Sequence, residues 1–286
     1  MRFIVFFMFL LTAAEASAAV VVRRSGALSP LGDALMENLR KTPIDGAGRI
    51  VELSGDSAAD AARVARECEK AQVVFTIGAE AATAVSAVSA RSSIIALGVP
   101  NPARLGVAAT YVSAYPRLEA VIEYTSTRLK AKRIGLLHSP NQNREIVALF
   151  QKAATAKGAT IVPIAAGSSG ELVRALATIG ADVDVLILAI DPLVFDRQAL
   201  RFVVEKATAA KKPTIGFLPE LASLGVTIAL TNDAASVAAS AVNAVKTSHP
   251  GTRGTAEVDG LTIVASKRAA ELIGIPLESL GAHQTR

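Results

Sequence analysis

Short apolar runs alternate with alanine-rich helical stretches along most of this chain, and this alternation constrains the fold more than any other feature of the sequence. The helical stretches of the first array begin near Pro30, Ser57 and Ala79. Alternating β and α elements predict a parallel, doubly wound sheet with right-handed crossovers. The predicted strands of this array are 19–24, 49–53, 73–77, 93–97 and 107–112.

The same pattern starts again after a long predicted helix at 115–131. Two successive arrays of about a hundred residues, without a Pro/Ser-rich linker between them, predict two similar α/β lobes joined by short crossovers. A later helix at 234–246 and a strand at 260–266 could complete either lobe, and chain order alone does not decide which. The predicted strands of the second array are 133–138, 160–164, 183–190, 213–218 and 226–230.

The composition suits buried parallel strands covered by alanine-rich helices. Hydrophobic residues make up 51% of the chain, but aromatic residues only 4%, so the core must consist of Ala, Val, Leu and Ile. Cys68 is the only cysteine, which excludes a disulfide framework. Because it shares a helical face with Val64, a small buried hydrophobic residue is favoured over a reactive thiol.

The first eighteen residues have the layout of a secretory signal peptide. Arg2 precedes an apolar run at 3–14, and the small residues Ala16, Ser17 and Ala18 follow it. We expect cleavage after Ala18 or Ala19 and export to the periplasm. A membrane anchor is the alternative, but the run is shorter than the roughly 20 residues that span a bilayer.

The formal net charge of +5 comes from basic residues that are scattered along the chain. The sequence has no Lys/Arg-rich run with interleaved aromatic residues, so we expect no nucleic-acid partner. A weakly basic surface could attract an anionic solute, but it does not identify a binding site.

The usual motifs of α/β enzymes are missing from the sequence. It contains no phosphate-binding loop, no GxGxxG after the first strand and no GxSxG elbow. None of its histidines, His138, His249 and His283, is paired at a metal-ligand spacing. We therefore expect no metal, no cofactor and no catalytic residue. His138, which ends a strand, is the alternative candidate for catalysis.

Polar or glycine-containing turns follow several strands of the first array, at the carboxyl edge where open α/β sheets bind ligands. These turns contain Ser25, the group Thr76, Gly78 and Ala79, and Asn101. Gly78 lets a ligand approach the backbone closely, and the N–H groups of the helix that opens at Ala79 could hold a carboxylate. An ordinary strand-to-helix turn is the equal alternative.

The second array has polar residues in the corresponding turns. Ser139, Asn141 and Asn143 precede a helix, so either they cap it or one of them reaches the cleft. Asp191 follows an unbroken apolar strand, where a buried carboxylate needs a cation or hydrogen-bond donors. The amino group of a ligand would supply both the positive charge and the donors. A turn-forming Asp before Pro192 is the alternative.

Taken in order, these stretches resemble a known family. The chain is similar to the ABC-transporter substrate-binding proteins with the type I periplasmic-binding fold, in particular the family that includes aromatic amino acid binders. The similarity covers nearly all of the chain after the predicted signal peptide. The matching stretches are VVFTIGAEAATAV, IIALGVPNPARLG, KRIGLLHSPNQNREIVALFQKAATAKGATIV, LVRALATIGADVDVLILAIDPLVF, PTIGFLPELASLGVTIAL and KRAAELIGIPL.

The resemblance implies two lobes that close like jaws on a small ligand and deliver it to a membrane permease. It places the helix near 233–247 on the first lobe and the last strand on the second. The division that it implies is a signal peptide at 1–18, an N-terminal lobe at 19–112 plus 233–250, and a C-terminal lobe at 113–232 plus 251–286.

The resemblance also assigns ligand contacts. Thr76, Gly78 and Ala79 would face a ligand carboxylate, and Asn141 and Asp191 would face the rest of the ligand. The remaining predicted contacts are Ser25, Asn101, Tyr111, Ser139, Phe217 and Asn232.

The chain departs from the family pattern at two places, which bear on the identity of the ligand. The pair Thr110-Tyr111 stands where members often carry Thr-Gly, and Val-Ala-Ser-Lys at 264–267 stands where they tend to carry Ile-Asn-Leu-Lys. Tyr111, Tyr115 and Phe217 either stack on an aromatic or cationic ligand or pack in a core.

The sequence therefore predicts a monomeric, periplasmic solute-binding component of an ABC importer, which captures an amino acid or a similarly small polar ligand without catalysis. A ligand-sensing partner of a receptor kinase or chemoreceptor is the alternative, since both roles use the same jaw motion. An exported enzyme that uses His138 or Asp191 is a further alternative.

Overall fold

A computed structural model of the chain describes residues 19–24, 29–41, 49–89, 91–177 and 179–286. The predicted signal peptide, residues 1–18, lies outside the described residues. In the part of the chain that is described, no helix has both the length and the apolar character needed to cross a bilayer.

The first half of the chain forms strands separated by helices, as the sequence predicts. The Asp56 carboxylate accepts hydrogen bonds from the backbone N–H groups of Ala58 and Ala59, at 3.0 and 3.1 Å, and so starts the second helix at Ser57. In chain order the elements are β1 (Ala19–Arg24), α1 (Ser29–Arg40), β2 (Arg49–Leu53), α2 (Ser57–Cys68), β3 (Val73–Ile77), α3 (Ala79–Val88), β4 (Ser93–Leu97), α4 (Pro102–Leu105), β5 (Thr110–Val112) and α5 (Leu118–Arg128).

The second half repeats this alternation. Two caps show how short polar side chains start its helices: Asp196 accepts from the Ala199 N–H, and Asp233 accepts from the Ser236 N–H. The elements are β6 (Arg133–His138), α6 (Arg144–Ala156), β7 (Thr160–Ala165), α7 (Ser169–Ala175), α8 (Ile179–Asp182), β8 (Val185–Leu188), α9 (Pro192–Phe195), α10 (Arg197–Ala209), β9 (Thr214–Gly216), α11 (Glu220–Ser223), β10 (Ile228–Thr231), α12 (Ala234–Ala244), β11 (Gly254–Ala256), β12 (Thr262–Ala265), α13 (Lys267–Ile273), a 3-10 helix (Leu277–Leu280) and β13 (Gln284–Thr285).

These strands form two separate sheets. The first has the order β11-β5-β4-β3-β1-β2, and every pair in it is parallel. The second has the order β13-β12-β10-β9-β8-β6-β7. Its pairs are parallel except that β12 runs antiparallel to β10. The predicted fold class, two doubly wound lobes built on parallel sheets, is confirmed.

Each sheet is covered by apolar side chains on both faces. Val64 and Cys68 of α2 and Val85 of α3 pack on one face of the first sheet, whereas Leu35 of α1 packs with Ala238 of α12 on the other. The second sheet likewise has one apolar cluster on each face. Because each cluster consists of buried apolar side chains from a single lobe, each lobe has its own core.

The C-terminal part of the chain corrects one detail of the predicted lobe division. Residues 251–286 were predicted to lie wholly in the second lobe, but β11 at Gly254–Ala256 pairs with β5 in the first sheet. A strand of three residues that contains glycine and lacks buried side chains has no apolar pattern to reveal it. The sequence also predicted longer strands: residues 107–109 precede β5, and β8 occupies only Val185–Leu188 of the predicted 183–190.

The chain passes between the sheets three times, after β5, β10 and β11. Two of these crossovers contact each other, because Arg117 after β5 pairs with Glu257 at 3.3 Å and Asp259 at 3.2 Å after β11. The backbone N–H of Ser113 also donates to the carbonyl of Ala256 at 2.9 Å. The crossovers after β5 and β11 therefore lie side by side.

Candidate functional site

Each sheet has a switch point. It lies between two neighbouring strands whose following connections run in opposite directions across the sheet. In the first sheet it lies between β1 and β3, and in the second between β6 and β8. Helices that follow the two strands at a switch point lie on opposite faces, so a crevice opens at the carboxyl ends of those strands. Each lobe of this protein therefore offers one crevice for a ligand.

Three of the predicted residues lie at the crevice of the first lobe. Gly78 follows β3 with φ +91°, a left-handed conformation that favours glycine, and its N–H donates to the Leu97 carbonyl at 2.8 Å. Ala79 begins α3 directly after it. Thr76 is fully buried two residues earlier, and its Oγ1 has no hydrogen-bond partner among the described atoms. Ser25, the fourth predicted residue here, lies outside the described residues.

The sequence analysis missed an ion pair at this crevice. Arg24 is the last residue of β1, and its Nη1 lies 2.9 Å from both carboxylate oxygens of Glu80, in the first turn of α3. Both side chains are more than half exposed, at 55% for Arg24 and 65% for Glu80. A charged residue at the carboxyl end of the first strand, beside the switch point, was the signal available in the sequence.

In the second lobe, Asp191 obtains its hydrogen-bond donors from the protein. Its Oδ2 accepts from the Ser139 N–H at 2.8 Å and from Asn143 Nδ2 at 2.9 Å, and its Oδ1 accepts from the Leu193 N–H at 2.9 Å. Asp191 is 1% exposed. The internal donors remove the need for a ligand amino group, so the structure favours the turn-forming alternative and assigns Ser139 to the same network.

Asn143, one of the three residues predicted to cap the helix or reach the cleft, belongs to the same network. It precedes α6 and is buried, and its Nδ2 donates to the carbonyl of Ile190 at 3.0 Å as well as to Asp191. One side chain thus joins the loop after β6 to the loop after β8. The two strand ends that border the second crevice are held at a fixed separation.

His138 ends β6 at the same crevice. It is 6% exposed, and its Nδ1 has no hydrogen-bond partner among the described atoms. Burial lowers the pKa of the imidazole below its usual value of 6.5, while a backbone hydrogen bond at Ser139 and the charge of Asp191 act in the opposite direction. The neutral imidazole is therefore favoured at neutral pH. It can accept or donate one hydrogen bond at Nδ1, depending on its tautomer.

The loop after β4 and the loop after β6 join the carboxyl edges of the two sheets. Arg104 Nη1, in α4 after β4, donates to the Asn141 carbonyl at 2.8 Å, and it also contacts Gln142 Oε1. Asn101 Nδ2 donates to the Gln142 carbonyl and lies 3.5 Å from the Glu145 carboxylate. Of the predicted residues, Asn101 and Asn141 are therefore brought together across the lobes, with Asn141 contributing its backbone.

The predicted aromatic residues lie in the cores. Tyr111 is 3% exposed and donates its hydroxyl to the Val107 carbonyl at 2.8 Å within the first lobe. Phe217 is 2% exposed, and its ring lies 4.9 Å from the Tyr115 ring and 6.1 Å from the Phe150 ring. For Tyr111 and Phe217 the structure favours packing over ligand stacking, because neither presents a ring face to a cleft.

Asn232 lies in the crossover after β10. It is partly buried, and its Oδ1 has no hydrogen-bond partner among the described atoms. The adjacent Thr231 hydroxyl donates to the Asn232 carbonyl at 3.1 Å. A buried acceptor without a donor is uncommon in a folded protein, so Asn232 remains a candidate contact for a bound molecule. Among the described residues there is no group of three or more His, Cys, Asp or Glu that could hold a metal ion.

A model of the family described as "ABC transporter substrate binding protein" matches residues 19–279. No curated protein matches the sequence. Three solved structures, each similar over 94% of this chain and 100% of their own, illustrate the fold: a conserved domain protein from Vibrio cholerae (21% identity, TM-score 0.64), an ABC domain in complex with L-Trp from Streptococcus pneumonia (19%, 0.62), and a ligand-free, open substrate-binding protein with adhesive properties from Clostridium difficile (16%, 0.71).

Proposed function

The chain belongs to the family of ABC transporter substrate-binding proteins, and from this membership we propose that it is the periplasmic solute receptor of an ABC importer. It captures an amino acid or a similarly small polar solute between its lobes and presents the closed form to a permease in the inner membrane. The ligand is bound and released unchanged.

The relative position of the two sheets supports this proposal independently of family membership. The carboxyl edges of the two sheets face each other, because the loop after β4 bonds to the loop after β6 through Arg104 and Asn141. Parallel α/β sheets bind ligands at that edge, so a molecule held there touches both lobes at once. Closure around the molecule then follows from its contacts with both lobes, since a ligand shifts a conformational equilibrium only by its differential affinity for the two states.

The crossovers fit a hinge motion. They are short segments at the ends of strands, which is where hinge-bending proteins absorb changes in backbone angles. Ion pairs between exposed groups, such as that of Arg117 with Asp259, hold the segments together without a large apolar interface. Two lobes with separate cores can therefore rotate without repacking either core.

Ligand-dependent stabilisation tests the binding function. The mature protein, stripped of ligand by unfolding and refolding, is heated with a panel of amino acids, sugars, organic acids and nucleosides. A ligand at a hundredfold excess over its Kd adds about 2.7 kcal/mol to the unfolding free energy and raises the Tm accordingly. A panel without any shift would contradict the proposal. Mass spectrometry of the ligand recovered after long incubation checks that it is unchanged.

Export is tested separately. In a Gram-negative host, the protein expressed with residues 1–18 should appear in the periplasmic fraction, and its N-terminal residue should be Ala19 or Val20. Deletion of 1–18 should keep it in the cytoplasm. A full-length product retained in the membrane fraction would support an uncleaved anchor instead.

A further inference from the structure

We infer that Gly260, in the crossover after β11, is the residue whose backbone conformation sets the balance between the open and closed forms of the two lobes. This role of Gly260 rests on the proposed function, because it controls the lobe motion on which that function depends. The φ of Gly260 is +104°, in the region that favours glycine.

The two cores show where the crossover after β11 can bend. Val258 is fully buried in the core of the first lobe, whereas Leu261 packs against the core of the second. Asp259 and Gly260 are the two residues between these anchors, and both are exposed. Rotation about their backbone bonds therefore moves one core relative to the other without repacking either.

The other two crossovers are held by local hydrogen bonds. After β5, the Ser113 hydroxyl donates to the Tyr115 carbonyl at 2.8 Å. After β10, the Asp233 carboxylate accepts from the N–H and the hydroxyl of Ser236, at 2.9 and 2.6 Å. By contrast, the backbone of residues 258–261 makes no hydrogen bond to any other residue that the structure describes. The crossover after β11 is thus the one whose backbone angles can change without breaking a hydrogen bond of its own.

The ion pairs beside Gly260 restrain this motion without preventing it. Arg117 follows the first crossover, and its guanidinium pairs with Glu257 and Asp259 on the chain that leads to Gly260. All three side chains are at least half exposed, at 51%, 63% and 91% in that order. Exposed ion pairs are weak because water screens them, so these can break and re-form as the lobes move.

Position 260 has room for a side chain but an unfavourable backbone conformation for one. A Cβ atom there would lie 3.7 Å from the Ser236 hydroxyl oxygen, which is ordinary van der Waals contact. The cost of alanine at 260 would therefore come from the positive φ alone. Gly260 has this φ in the arrangement whose carboxyl edges are joined by Arg104 and Asn141. A side chain at 260 should thus shift the lobes away from that joined arrangement.

The experiment compares Gly260→Ala with a matched control, Gly251→Ala. Gly251 lies between α12 and β11 within the first lobe, its φ is +74°, and a Cβ atom there would have no heavy atom within 4 Å. Both substitutions therefore place a side chain at a positive φ without a clash, but only position 260 lies between the lobes. Small-angle X-ray scattering of the protein without added solute gives the radius of gyration of each variant.

Gly260→Ala should shift the ratio of open to joined forms by about tenfold and so increase the radius of gyration. Gly251→Ala should leave the radius at the wild-type value. Gly260→Asn should give a smaller increase, because Asn adopts positive φ more readily than Ala. Gly260→Pro should give the largest, because the ring fixes φ at about −65° and the N–H that it removes has no partner among the described residues.

The order of the radii decides the inference. A radius for Gly260→Ala and Gly260→Pro that is unchanged or smaller than that of the wild type would overturn it, and so would an equal increase in Gly251→Ala. If the proline variant does not fold, as judged by circular dichroism, the alanine and asparagine variants decide. These measurements need no ligand, so a solute panel without any Tm shift would contradict the receptor function while the radii still test the role of Gly260.

Discussion

The guanidinium of Arg104 in the first lobe donates to the backbone carbonyl of Asn141 in the second, at a distance of 2.8 Å. Both residues follow strands at the carboxyl edges of their sheets, so this hydrogen bond joins those two edges. Because each lobe has its own core, direct contacts between the lobes affect the balance between open and closed forms.

Removal of this contact should favour the open form. Arg104→Ala deletes the hydrogen bonds to the Asn141 carbonyl and to Gln142, which for exposed groups together contribute about 1 kcal/mol. We expect a larger radius of gyration by small-angle X-ray scattering and a Kd about fivefold weaker. Arg201→Ala on α10 is the matched control. An unchanged radius and Kd would show that the contact does not affect closure.

Tyr115 should be important for stability. Its hydroxyl accepts from the Ile190 N–H at 2.9 Å, and its ring meets Phe150 and Phe217 edge-on. Tyr115→Phe leaves a buried N–H without a partner and should cost about 1–3 kcal/mol, whereas Tyr115→Ala also opens a cavity and should cost about 3–5 kcal/mol. Urea unfolding measures both. Equal losses for the two variants would assign the whole effect to the hydrogen bond.

Asp191 should be a structural residue. Asp191→Ala removes the acceptor of three donors, those of Ser139, Asn143 and Leu193, and should lower the unfolding free energy by at least about 3 kcal/mol. Asp196→Ala removes a helix cap and should cost only about 1 kcal/mol. If Asp191→Ala kept the wild-type stability but lost ligand affinity, the carboxylate would be a ligand contact after all.

His138 should make the protein less stable in weak acid. Its pKa in the folded protein lies below 6.5 because of burial, so as pH falls through 6.5 the unfolded chain takes up a proton before the folded one. The wild-type unfolding free energy should therefore drop between pH 7.5 and 5.5 by more than that of His138→Gln. Urea titrations at both pH values measure the difference. If the unfolding free energies of the wild type and His138→Gln fell by the same amount, His138 would not be the group responsible for the loss.

Cys68 should react slowly with thiol reagents in the folded protein. It is 2% exposed, and burial, assisted by the charge of Glu67, raises the pKa of its thiol to about 11. Since the thiolate is the reactive form, we expect labelling by Ellman's reagent at pH 8 to be at least about a hundredfold slower in buffer than in urea. Rapid labelling of the folded protein would place the thiol at an accessible surface.

Much of the fold follows from sequence periodicity. The strands β1 to β4 and β6 have the predicted bounds because each contains apolar residues that are buried in a core. β2 buries only Val51 and Leu53, which alternate with exposed residues as in a strand that is buried on one face. Short peripheral strands carry no such signal, which is why β11 and β13 were missed and why the antiparallel direction of β12 was not predicted. Gly78 follows β3 as the sequence predicts, and its φ of 91° is a conformation that favours glycine.

The sequence alone determined that the chain forms two parallel α/β sheets and that polar turns lie at their carboxyl edges, because both features depend on local pattern. Only the tertiary structure decided which turn residues have hydrogen-bond or ion-pair partners within the protein. Asp191 accepts hydrogen bonds from Ser139, Asn143 and Leu193, whereas Arg24 and Glu80, both more than half exposed, pair with each other. These partners are separated by about fifty residues or more in most cases, and contacts over such distances depend on strand order and lobe orientation, which no local pattern encodes.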